Sequence, residues 1–193
     1  MNEEGLLKED ISKYIKLTDG EFDYYFNLLK INKYKKRENL HSIGKVCRSA
    51  FFVLEGSIRY FNIVDGEEKT GQFFFEGSWY SDYESFLFHV PSEQSIQAIE
   101  QTTVAILSKE ALYQLYEKIP KFERFGRIMA ENAFMGLRKR TLSLTSLSAT
   151  ERYLELTQNR PKVIKRIPQK YIASYLDIKP QSLSRIRNEL LRR

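Results

Sequence analysis

The chain has 193 residues, 42% of them hydrophobic and 29% charged, with a formal net charge of +6. That composition suits one large or two smaller folded domains and excludes a disordered chain. The longest apolar runs, such as Phe51–Leu54 and Phe73–Phe75, fall far short of a membrane span, and a lone Cys47 excludes an internal disulfide or a cysteine-held iron–sulfur cluster. The acidic N-terminus lacks an apolar signal core, so the expected location is the cytoplasm, with no membrane partner.

The charge is unevenly spread. Residues 1–120 carry 14 Lys+Arg and 19 Asp+Glu, a net of −5, whereas residues 121–193 carry 17 and 6, a net of +11. A basic segment beside an acidic one suggests two functional parts and a polyanionic partner for the second.

In chain order, residues 5–30 read as helical. Thr18–Glu21 has the form of a capping box, and Phe22, Tyr25, Phe26 and Leu29 then recur at helical spacing. From about residue 41 the texture turns to short strands. Phe51–Leu54 and Ser57–Val64 flank Gly56, Asp65–Gly66 signals a tight hairpin, and Gln72–Phe75, Ser95–Ile99 and Thr102–Leu107 follow. Short strands with glycine-bearing turns predict an antiparallel sandwich or jelly roll. Ser108 begins a helix that Pro120 stops.

Residues 121–147 read as a longer helix. Phe125, Ile128, Asn132, Met135, Lys139 and Leu142 fall at alternating three- and four-residue steps, a seam suited to a dimer helix, with Asn132 as a polar register position. Ser148–Glu151 is a second capping box, starting a helix through Leu156. The predicted organisation is therefore a β-roll domain over 1–120, a dimerisation helix and hinge over 121–147, and a basic helical domain over 148–193.

The last twenty-five residues meet the demands of a helix-turn-helix. Ile172, Ala173, Leu176, Ile178, Leu183 and Ile186 supply the buried positions, with Ala173 as the small residue where the helices touch. Pro168 and Pro180 suit first helical positions, and Pro180 forbids one continuous helix. Asp177 stands in the turn where glycine is usual, and Lys179 is a poor N-cap. Facing partly outward are Gln181, Ser182, Ser184, Arg185 and Arg187. Gln and Arg bond base edges in the major groove, while Ser and Lys, including Lys170 and Lys179, suit phosphate oxygens. The predicted partner is double-stranded DNA.

The order of parts resembles the Crp/Fnr family of bacterial transcription regulators. The residues that carry the resemblance are a β-roll with FFVLEGSIRYF, the segment EGSWYSD, a long central helix, the capped SATERYLEL and the terminal motif. SLSRIRNEL resembles the recognition helix of a subgroup common in Bacteroidetes-type bacteria. The resemblance implies an α+β fold: an antiparallel, double-stranded β-helix of the cyclic nucleotide-binding type, a dimerisation helix, and a winged-helix-like helix-turn-helix. It implies a homodimer on a roughly palindromic site, contact with RNA polymerase, and a small-molecule effector, here unknown, in the roll. In cyclic-nucleotide-binding members a Gly-Glu pair holds the ribose and an arginine neutralises the phosphate. Here the resemblance places the pair at Gly77–Ser78 and the arginine at Ser92–Ser95, where no Arg or Lys stands. That departure argues against cyclic AMP bound in the usual way. Trp79 and Tyr80 complete the expected pocket, as filler or as a less polar lining.

No catalytic residue, cofactor or metal is expected. A cupin-type enzyme would need clustered ligands, and His41 and His89 are isolated. A β-roll sensor whose helical tail binds protein rather than DNA is the other alternative.

Overall fold

The computed structural model describes residues 2–191. Two helices open the chain, α1 (Glu3–Ser12) and α2 (Asp19–Asn27). The expected helical stretch divides in two: α1 ends at Ser12 with Lys13 as its C-cap, and α2 starts afresh after an extended Thr18 (φ −71°, ψ 164°). Thr18 N donates to Glu21 Oε2 at 2.7 Å and Glu21 N to Thr18 Oγ1 at 3.3 Å, the capping box that starts α2.

The strands are β1 (Lys30–Tyr34), β2 (Asn39–His41), β3 (Ser49–Glu55), β4 (Ser57–Val64), β5 (Glu67–Phe75), β6 (Trp79–Tyr80), β7 (Gln94–Ala98) and β8 (Thr102–Ser108), with α3 (Tyr83–Phe88) between β6 and β7. They form two four-stranded sheets, ordered β1-β8-β3-β6 and β2-β7-β4-β5. β1 pairs antiparallel with β8, β8 with β3, β3 with β6, and β2 with β7. Asp65 (φ 52°) and Gly66 (φ 77°) turn β4 into β5 with both central residues left-handed, the conformation that a primed hairpin turn demands.

β3 shows why the sequence there is apolar without alternation. Phe52 and Leu54 join one buried cluster with α1, α2 and the helix after β8, while Phe51 and Val53 join another with Ile58, Ile96 and Val104. Both faces are buried, so both carry apolar side chains.

After β8 every regular element is a helix: α4 (Lys109–Lys118), α5 (Lys121–Ser146), α6 (Ala149–Asn159), α7 (Pro161–Arg166), α8 (Gln169–Tyr175) and α9 (Pro180–Leu191). The winged-helix likeness is thus confined to helices. Among the described residues no strand follows Ser108, and α7 fills the stretch between α6 and α8. The capping box at Ser148 forms as expected, with Ser148 N donating to Glu151 Oε2 at 2.8 Å.

The chain gathers into two compact units. One takes the chain up to Tyr60 with Phe73–Asn132, the other Phe61–Gln72 with the chain from Ala133 onward. No helix is long and apolar enough to cross a membrane among the described residues.

Candidate nucleic-acid interface and the interior of the roll

In the second unit α8 and α9 pack through the positions the sequence singled out. Ile172, Ala173, Leu176, Leu183 and Ile186 are all buried, and Ile178 is half-buried. Ala173 has no exposed surface, so its methyl sits where a larger side chain would push the helices apart. Asp177 adopts the left-handed conformation (φ 52°) that its place in the turn requires, and Ile178 N closes the turn onto Ala173 O at 3.0 Å. Pro180 opens α9 as expected. Pro168, expected at the first position of α8, is instead its N-cap (ψ 137°), because its carbonyl accepts from Tyr171 N and Ile172 N.

Two guanidinium groups hold the end of α8. Arg152 donates to Leu176 O through Nε (3.2 Å) and Nη2 (2.9 Å), and to Leu147 O through Nη1 (2.6 Å). Arg140 donates to Tyr175 O and lies 3.9 Å from the centroid of the Tyr175 ring. Cations thereby meet carbonyls that the helix itself leaves without partners. The β4–β5 turn joins the same unit. Thr70 N donates to Ser174 Oγ at 2.9 Å, Ser174 Oγ to Glu68 O at 2.7 Å, and Lys69 pairs with Asp177 at 3.7 Å.

With Leu183 and Ile186 turned inward, α9 exposes Gln181, Ser184 and Arg185, while Ser182 and Arg187 are half-buried on its flanks. Lys179 and Lys170 are exposed. Arg185 Nε lies 3.9 Å from Glu189 Oε1, an exposed pairing that leaves the guanidinium available to a stronger partner. Asn188 belongs to the same exposed stripe. Its seven-residue spacing from Gln181 places it on the shared face. Arg192 and Arg193, which complete the predicted basic domain, lie outside the described residues.

The first unit holds the expected effector region, and the structure divides those residues. Tyr80 stacks on both Tyr60 and Phe74, at 5.0 and 4.4 Å between centroids, and those two rings lie 6.4 Å from each other, inside the roll. Its hydroxyl donates to Gln94 Oε1 at 2.8 Å, and burial among these rings pushes its pKa up. Ser92, also buried, has its hydroxyl 2.5 Å from Asp82 Oδ2 and 2.7 Å from Gln94 O. Ser95 is buried and accepts from Ile43 N at 3.2 Å.

Gly77 N donates to Val53 O (2.9 Å) and Ser78 O accepts from Val53 N (3.0 Å), so these two backbone groups are paired with β3. The helix that follows starts at Asp82, whose carboxylate accepts from Ser85 N. Tyr60, Phe74, Asp82 and Gln94 thus help build this interior, and their distance in sequence hid them. His41 is half-buried, its Nε2 lacks a hydrogen-bond partner, and burial holds its pKa low.

Trp79 lies outside that interior. Adjacent residues of β6 point to opposite faces, so the indole leaves the roll interior for the helical cluster, packing on Phe52 and Phe125. Its Nε1 donates to Asp10 Oδ2 at 3.1 Å. Asp10 is buried, and that burial raises its pKa although Lys13 and the indole oppose the shift. The folded state therefore holds the Asp10 proton more tightly than the unfolded one. Stability from this group is greatest below the unfolded value and declines as pH rises through the folded value. Asp10→Asn keeps an acceptor for the indole and is expected to flatten that decline. Denaturant midpoints at pH 4 and pH 7 measure it, and an unchanged pH dependence would refute the assignment.

On α5, Phe125 is 4% exposed and packs inside its own chain against Phe122, Tyr14 and Trp79, so it cannot join a dimer seam. Farther along, Ile128 is half-buried, and Asn132, Met135, Lys139 and Leu142 are exposed, as are Phe134, Leu137 and Leu144. Among the described residues no group of three or more His, Cys, Asp or Glu could hold a metal ion.

These two structures, an eight-stranded roll and a capped helix pair behind a long helix, define a recognisable class. Residues 31–119 match the cyclic nucleotide-binding domain family, and the chain carries the fold of the Crp/Fnr regulators. The regulator CLP of Xanthomonas campestris, described as c-di-GMP-responsive, is similar with a TM-score of 0.73 and 17% identity over 90% of this chain and 92% of that one. FixK2 of Bradyrhizobium japonicum is similar at 0.71 and 17% identity, over 84% of each chain. A CooA mutant of Carboxydothermus hydrogenoformans is similar at 0.71 and 15% identity, over 95% of this chain and 83% of that one. No curated protein matches the chain.

Proposed function

We propose that this chain is a sequence-specific, DNA-binding transcription regulator that acts as a homodimer on a roughly palindromic site. The observation that carries the reading is the helix pair: a fully packed inner face, and an outer face of α9 made of Gln181, Ser184 and Arg185. Lys and Arg contacts to phosphate supply most of the affinity, and Gln181 and Arg185 read bases. Ser182, Arg187, Lys179 and Lys170 take the flanking phosphates.

The exposed apolar side chains on the second half of α5 support the dimer, with the seam starting at Ile128. Two-fold symmetry then places recognition helices about 34 Å apart. Contact with RNA polymerase follows by analogy with the fold's regulators. In the roll, the residues between β6 and β7 offer an anion the Asp82 carboxylate, and Ser92–Ser95 supplies no cation to offset it, so cyclic AMP in the usual mode is disfavoured. An effector, if used, is a less polar molecule.

Selection of bound sites from random duplex DNA tests the reading. The expected yield is a motif with two half-sites one helical turn apart. Recovery of no enriched motif by a folded protein would favour a tail that binds protein. Arg185→Ala is expected to weaken binding to the selected site by about 1–3 kcal/mol and to relax preference at one base pair. Equal losses on selected and random duplex would remove Arg185 from base reading.

A further inference from the structure

The positive charge of the second unit is not concentrated on α9. Between Glu155 and Asp177 the chain contains no Asp or Glu, and it carries Arg160, Lys162, Lys165, Arg166 and Lys170. This acid-free run covers the end of α6, all of α7 and all of α8. Val163 and Ile167 are buried, anchoring α7, while Lys162 and Lys165 are exposed. A two-residue link, Ile167–Pro168, joins α7 to α8. Ile167 N is bonded to Val163 O at 2.9 Å and Pro168 O receives Tyr171 N at 2.9 Å, so both sides of the corner are fixed. Lys165 stands just before that corner and Lys170 just after it, with the Lys170 ammonium 4.7 Å from the Tyr171 ring centroid.

Resting on the DNA-binding reading, we propose that α7 and its corner into α8 form a second contact with the duplex, one that takes backbone phosphates, with Lys165 as its principal residue. The first helix of a helix-turn-helix crosses the DNA backbone, so a rigid cationic corner at its start lies beside phosphates. No strand follows β8 among the described residues, and the stretch between α6 and α8 is a lysine-bearing helix. The run itself supplies no carboxylate, and Lys165 and Lys170 are both exposed, as contact with a polyanion requires. Such a contact carries no sequence information. It divides the domain into α9, which selects, and α7, which adds affinity on any duplex.

The test compares the full-length protein with Lys165→Gln and, as a control for net charge, Lys36→Gln, an exposed lysine of the first unit. Binding to the selected site and to random duplex is titrated from low to high salt. Lys165→Gln is expected to weaken both by the same factor, to reduce the slope of log K against log salt by about 1, and to leave base preference intact. Lys36→Gln is expected to leave the slope unchanged. A wild-type slope in Lys165→Gln, a loss confined to the selected site, or an equal change in Lys36→Gln would overturn the inference while the DNA-binding reading stood. No salt-dependent binding by the wild-type protein would overturn both.

Discussion

Arg152→Ala is expected to destabilise the second unit by about 2–4 kcal/mol, and to abolish the proposed duplex binding as the helix pair loosens. The side chain makes three donations to two carbonyls, Leu147 O where α5 gives way to α6, and Leu176 O where α8 ends. It is half-buried, so water replaces only part of what is lost. Arg152→Lys is expected to recover little, because one ammonium cannot reproduce a planar fork spanning two acceptors. Amide hydrogen exchange gives the readout: protection should fall in α8 and α9 and hold in β3 and β8. Unchanged protection in α8 would mean that Arg140, on the neighbouring Tyr175 carbonyl, suffices alone.

Gly56→Ala is expected to cost about 3–5 kcal/mol. Gly56 joins β3 to β4 with φ 89°, and an added Cβ would lie 2.5 Å from Gln101 O and 2.6 Å from Thr102 Oγ1. Neither atom can move freely, since Thr102 Oγ1 also accepts from Ser57 N and lies 3.0 Å from Glu100 O. Gly66→Ala is the comparison. Its φ is similar (77°), but nothing lies within 4 Å of its Cβ, so only the backbone cost of about 1–2 kcal/mol remains. Equal denaturant midpoints for the two variants would show that the β3–β4 crossing has room to relax.

The parts of this fold that were legible in the sequence are those set by local chemistry. Capping boxes at Thr18 and Ser148 declare helix starts because the partners are three residues apart. Asp65–Gly66 declares a turn because few residues tolerate left-handed backbone. The packing positions of α8 and α9 were readable for the same reason, since the motif is short and each position sees its neighbours along the chain. What stayed hidden is decided at long range. β1, KINKY, is mostly exposed and polar, and it is a strand only because β8 offers it a backbone partner. α3 and α7 span six residues each, too few for a helical period to show. Gln94 and Asp82 join the roll interior through Tyr80 and Ser92, and no spacing announces that. Trp79 and Tyr80 read as one aromatic pair, yet the pleat sends them into different clusters.

The stack of Tyr60, Phe74 and Tyr80 sets a threshold for any molecule that would enter the roll. A ligand there competes first with the protein's own rings, which bury one another before it arrives. Its apparent dissociation constant is the intrinsic one divided by the fraction of molecules whose stack is open, so a stack open one time in a hundred weakens binding about a hundredfold. Ring packing therefore enters the affinity of any such ligand alongside its direct contacts. Trimming Tyr60 or Phe74 would shift the concentration at which the roll fills.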